Sequence, residues 1–181
     1  MIAGIKRHAA ALLALTLAVT AHAAAPTAPR GADPFLALLA GPWDMVATVP
    51  GKPAWHQRGE GRWVLKEGWL CLSIIDTASP PAYQASVYLG FDPKAGDYIA
   101  HWLDQFGAAG ARVVATGKRD GQTLVLLVPS TEGQFRDTLT RAAAGSSGTL
   151  LLESQEKDGS WSTFASYTLT RPQGVRAPRG R

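Results

Sequence analysis

Cysteine is nearly missing from the chain. Cys71 is the only one in 181 residues, so no internal disulfide can form and the fold must stand on packing. Cys71 lies in the apolar run Trp69-Leu70-Cys71-Leu72, where the expected role is a small buried hydrophobe. Histidine is scarce too. Only His56 and His101 lie beyond the first 23 residues, and with Cys71 they show no clustered ligand spacing, so no metal site is expected. No run of ~20 apolar residues occurs, which argues against a spanning helix. Gly59 and Gly61 lack the third glycine and the following helix of a phosphate loop. Gly145-Ser146-Ser147-Gly148 reads as a hairpin loop and continues with Thr149, so it is not a nucleophile elbow.

A basic binding face is also lacking. The chain holds 18 Lys and Arg against 14 Asp and Glu. Lys6 and Arg7 at one end and Arg171, Arg176, Arg179 and Arg181 at the other account for the excess, which leaves 12 basic and 14 acidic residues over 24–170. Nucleic acid is therefore not an expected partner.

The N-terminus is the first positive feature. Lys6 and Arg7 precede an apolar run from Ala9 to Val19, broken only by Thr16, and Ala21-His22-Ala23 supplies small residues for cleavage. That order is a secretory signal, so residues 1–23 are expected to be removed and the mature protein to be periplasmic or secreted, without stable membrane insertion. Residues 24–32 read as a flexible leader and 172–181 as a disordered basic tail, which leaves 33–171 as one domain.

Asp33-Pro34 opens a short helix, with Asp33 as cap, Pro34 at the first position and Phe35, Leu38 and Leu39 on the apolar face; Gly41-Pro42 stops it. From Trp43 on, the hydrophobic period is two. Strands are expected at about 43–49, 58–66, 69–76, 83–92, 97–105, 111–119, 122–129, 134–141, 149–156 and 161–171. Asp120-Gly121 suits a two-residue hairpin loop, and Lys157-Asp158-Gly159 a three-residue one with Gly159 in the left-handed region. The fold class expected is all-β: an up-and-down antiparallel barrel of about ten strands, which closure rids of exposed edges.

The hairpin around Pro93 fixes a register. With a four-residue loop, Asp92 pairs with Asp97, Phe91 with Tyr98, Leu89 with Ala100, Val87 with Trp102 and Ala85 with Asp104. This face is the more apolar and is expected to point inward, with His101 outward. Asp104 then sits inside near one end, where a carboxylate is costly unless paired or hydrogen-bonded. It either caps a turn or pairs with an arginine such as Arg136, or it meets a ligand. The candidate ligand-binding set is Trp63, Val87, Leu89, Phe91, Tyr98, Trp102 and Asp104.

Two segments carry a family resemblance. Leu38-Leu39-Ala40-Gly41-Pro42-Trp43 resembles the helix-then-Gly-x-Trp opening of lipocalin-like calycin barrels. Tyr88-Leu89-Gly90-Phe91-Asp92 through Asp97-Tyr98-Ile99-Ala100-His101-Trp102-Leu103-Asp104 is similar to the bacterial domain-of-unknown-function family 1579. The resemblance covers about residues 33–171. It implies a calycin barrel with a Trp near its closed end and no established activity. As in lipocalins, it puts Arg171 over the Trp43 ring, a contact worth roughly 0.5–2 kcal/mol. Related ten-stranded barrels can hold haem through an axial His, but no His follows His101, and no cofactor is expected.

Three functional readings stay open. The leading one is a binder of a small apolar or amphipathic molecule in the barrel interior. The second is a structural or interaction protein with a filled barrel. The third is an enzyme with Asp104 as acid or base. No catalytic residue is assigned.

Overall fold

The computed structural model describes residues 32–130, 133–143 and 145–174. The expected signal peptide, nearly all of the expected leader and residues 175–181 of the expected tail lie outside them. A single-turn helix, α1 (Pro34–Ala37), leads into ten strands. These are β1 (Gly41–Thr48), β2 (Trp55–Val64), β3 (Trp69–Asp76), β4 (Gln84–Asp92), β5 (Asp97–Asp104), β6 (Ala115–Asp120), β7 (Thr123–Val128), β8 (Phe135–Arg141), β9 (Ser147–Gln155) and β10 (Trp161–Thr170). Each strand pairs antiparallel with its neighbour in sequence, and β1 pairs with β10, so the sheet is a closed barrel. Closure leaves no unpaired edge, which is how ten short strands hold together without a disulfide.

The β4–β5 register matches the sequence expectation pair for pair, from Asp92↔Asp97 to Ala85↔Asp104. Three local readings need correction. Asp120 pairs with Thr123, so the β6–β7 loop is Gly121-Gln122, one residue later than expected. Gly121 has φ +53°, which suits glycine at the first loop position. β2 starts three residues early, at Trp55, and β6 starts four late, at Ala115, because 105–114 forms a loop. Cys71 is half-buried on the outer face, between Leu70 and Leu72 of the core.

One end of the barrel is plugged. The Asp33 carboxylate caps α1, accepting from the Phe35 and Leu36 N–H groups at 2.9 and 3.0 Å, and also accepts the Tyr98 hydroxyl at 3.0 Å. Phe35, Leu36 and Leu39 of the plug are buried, whereas Leu38, expected on that face, is only partly so. The plug crosses β2 closely: a Cβ at Gly61 would run into the Leu39 carbonyl. Trp43 donates its indole N–H to the Leu39 carbonyl at 2.9 Å. The Arg171 guanidinium lies 3.7 Å from the centre of that indole and donates to the Leu38 and Pro42 carbonyls at 2.7 and 2.9 Å. The expected Trp43–Arg171 contact is therefore present, and it ties the last strand to the exit of α1. Burial pulls the Arg171 pKa down to about 10, so the group is still a cation at neutral pH.

Candidate functional site

The opposite end is open. There the inner faces of the strands, no longer met by a plug, surround a cavity of about 750 Å³. Trp55 on β2, Trp102 on β5 and Tyr83 just before β4 form one side of the wall. Phe135 and Asp137 on β8, Leu152 on β9 and Phe164, Ala165 and Tyr167 on β10 form the other. Asp76, Asp104 and Lys52 stand at the mouth, with Phe106 from the 105–114 loop.

Local sequence explains these positions. On β8 the inward residues alternate Phe135, Asp137, Leu139, Arg141, so period two carries a carboxylate to the inside. On β10 the register slips between Thr163 and Ala165. Phe164 is the extra residue of this β-bulge, and the bulge aims its ring at the mouth, edge-on to Phe135 at 5.9 Å. Trp102 donates its indole N–H to the Tyr83 hydroxyl at 3.0 Å, which fixes both rings.

The polar groups differ in how well they are held. The Asp104 carboxylate accepts the Phe106 N–H at 2.9 Å and so caps the turn after β5; the turn-cap role is the one realised. Arg136 is engaged elsewhere, with Glu153 at 2.8 Å and over the Trp161 ring at 4.2 Å. Asp76 likewise caps a turn through the Ala78 N–H. Asp137 has no such partner among the described residues, and burial in an apolar wall pushes its carboxyl up to about 6. Tyr167 is pushed up to about 12, first by burial and then by the Tyr83 and Asp137 charges. Tyr83 is also raised, mainly by burial. One step deeper than Trp55 on the same face of β2 is Gln57, 1% exposed, between Met45 and Asp76 in register. Neither its amide nitrogen nor its amide oxygen finds a partner.

The seven residues proposed from sequence do not come together in one place. Trp102 and Asp104 line the cavity. Val87 and Leu89 are buried in the core between the two ends. Tyr98 and Phe91 lie at the plugged end, 4.8 Å apart, with Tyr98 edge-on to Phe35 at 5.9 Å and Phe91 37% exposed at the rim. Trp63 is also toward that end, packed against the core with its N–H unpartnered. Sequence reasoning missed Gln57, Tyr83, Asp137, Phe164 and Tyr167. The signal available for Asp137 was a carboxylate alternating with Phe135 and Leu139 on one face. Both histidines are outside: His56 is exposed, and the His101 Nε2 meets the Ala111 carbonyl at 2.8 Å on the outer side of β5. Among the described residues no group of three His, Cys, Asp or Glu is placed to hold a metal ion, and no helix is long and apolar enough to cross a membrane.

A closed ten-stranded barrel with one plugged and one open end is a lipocalin-like architecture. The crystal structure of Rv2717c from M. tuberculosis matches it with a TM-score of 0.51 at 13% identity, over 78% of this chain and 99% of that one. A redesigned β-barrel aligns over 76% of this chain and 95% of its own, with a TM-score of 0.39 and 13% identity. The first likeness shows the fold alone. No family model and no curated protein matches the sequence.

Proposed function

We propose that this protein is an exported lipocalin-like barrel, akin to domain-of-unknown-function family 1579, that binds a small apolar or amphipathic molecule in its open end. The observation that carries the reading is the cavity itself: aromatic walls around about 750 Å³, with Asp137 in the lining left without a partner among the described residues. Pockets for small ligands have this make-up, mostly apolar with a few convergent polar groups. Burying ~200 Å² of apolar ligand surface contributes roughly 5 kcal/mol before association costs, short of the roughly 8 kcal/mol of a micromolar complex, so polar contacts must supply the remainder. The enzyme reading is weaker, because Asp104 is occupied as a turn cap and neither histidine faces the cavity.

Trp55 and Trp102 in the wall supply the test. Their fluorescence should be quenched saturably by members of a panel of fatty acids, isoprenoids and aromatic amines. Trp102→Ala should weaken that binding at least threefold. A panel with no quencher would hand the case to the filled-barrel, structural reading.

A further inference from the structure

The charged groups at the cavity are unequal in sign. Asp76, Asp104 and Asp137 face it, and among the described residues Lys52 is the single lining cation. A carboxylate or phosphate ligand would enter among three like charges, and repulsion between unscreened charges in a half-dry site is strong. An ammonium group meets the reverse situation. Among the described residues Asp137 has no competing ion pair or hydrogen bond, so a ligand cation need not displace any of them from it. Tyr167, Phe135 and Phe164 line the same cavity, and aromatic faces attract cations within about 6 Å of their centres.

Building on the binding reading above, we propose that the ligand class is a cationic amphiphile: an amine or quaternary ammonium on an apolar chain or ring, its cation held against Asp137 within the aromatic wall. The raised pKa of Asp137 fits a site completed by a cation, since a bound ammonium would restore the charge that burial disfavours. The other titratable groups about Asp137 are Tyr167 and Tyr83, both neutral at working pH, with Asp76, Asp104 and Lys52 at the mouth.

Four probes with one tail separate the possibilities: decylamine, decyltrimethylammonium, decanol and decanoate, each titrated calorimetrically into the full chain at pH 7.5 below its aggregation concentration. Both cations should bind at least about tenfold tighter than decanoate, a difference of about 1.4 kcal/mol. Asp137→Asn, checked for folding by circular dichroism, should cut that preference to about threefold or less, while Asp104→Asn should leave most of it. Lowering the pH to 5 should weaken decylamine binding to the unsubstituted protein and leave decanol unchanged. Decanol or decanoate binding as tightly as the amines overturns the cationic class while the binding reading survives. An amine preference untouched by Asp137→Asn overturns the assignment to Asp137. Failure of all four probes to bind removes the binding reading and this one with it.

Discussion

The two ends of this barrel treat the same kinds of side chain in opposite ways. At the plugged end, aromatic rings and arginines are spent on each other: Arg171 covers Trp43 at 3.7 Å, and the Arg141 guanidinium stacks 4.5 Å from the Phe35 ring. The Asp33 cap of α1 and the Leu38 and Leu39 carbonyls just after it take up the Tyr98, Arg171 and Trp43 donors. At the open end, rings of similar size face about 750 Å³, and the Asp137 carboxylate in that wall lacks a partner among the described residues. Buried atoms without a partner occur at the plugged end too, among them Trp63 Nε1, Arg141 Nε and Nη1 and Arg171 Nε, so what sets the open end apart is an unpartnered carboxylate that borders a cavity. A titratable group in that position, its pKa raised by burial beside a cleft, is a mark of a binding or catalytic site.

Substitutions sharpen the contrast. The largest effect is expected for Trp43→Ala, which removes a buried ring, its hydrogen bond and the platform under Arg171. It should lower stability by about 3–5 kcal/mol in urea unfolding. Arg171→Ala should follow at about 2–4 kcal/mol, since it strands the Leu38 and Pro42 carbonyls as well as losing the stacked guanidinium. A loss under 1 kcal/mol for either would erase the distinction between the ends.

Asp137→Asn should act in the other direction. Folding raises the pKa of this carboxyl from about 3.9 toward 6, so the folded protein binds its proton more tightly than the unfolded chain. Its contribution is intact below about pH 4 and is lost as pH rises through about 6. The asparagine variant should therefore be about 1–3 kcal/mol more stable than the parent at pH 7.5 and close to it at pH 4. Urea unfolding at the two pH values checks this, and a destabilised variant at pH 7.5 would mean that the carboxylate is engaged in the folded protein. The smallest stability change is expected for Trp102→Ala, below about 2 kcal/mol, because one side of the ring already faces the cavity and has few protein contacts to lose. A loss as large as that of Trp43→Ala would show a packed open end.

The fold was legible from sequence because its signals are local. Tight turns at Pro93–Gly96 and Lys157–Gly159 separate runs of period two, and all ten strands fall where those runs lie. The site was less so, for a geometric reason. Alternation says which face of the sheet a residue joins and nothing about its depth along the barrel. Phe91, Tyr98, Trp102 and Asp104 share the inner face of β4 and β5 yet divide between the plugged and open ends. Depth depends on the stagger of all ten strands, to which β8 and β10 contribute Asp137, Phe164 and Tyr167 from far along the chain. A bulge at Phe164 breaks the alternation, so no two-residue pattern would have turned that ring toward the mouth.

The most direct test of the open end as a binding site is native mass spectrometry of the protein purified from its own host. The expected result is a fraction carrying a discrete small-molecule mass that ionises as a cation after release and is reduced or lost in Trp102→Ala. A bare polypeptide mass under gentle conditions, together with a crystal structure in which Trp102, Phe135 and Tyr167 close on one another into a solid core, would contradict it.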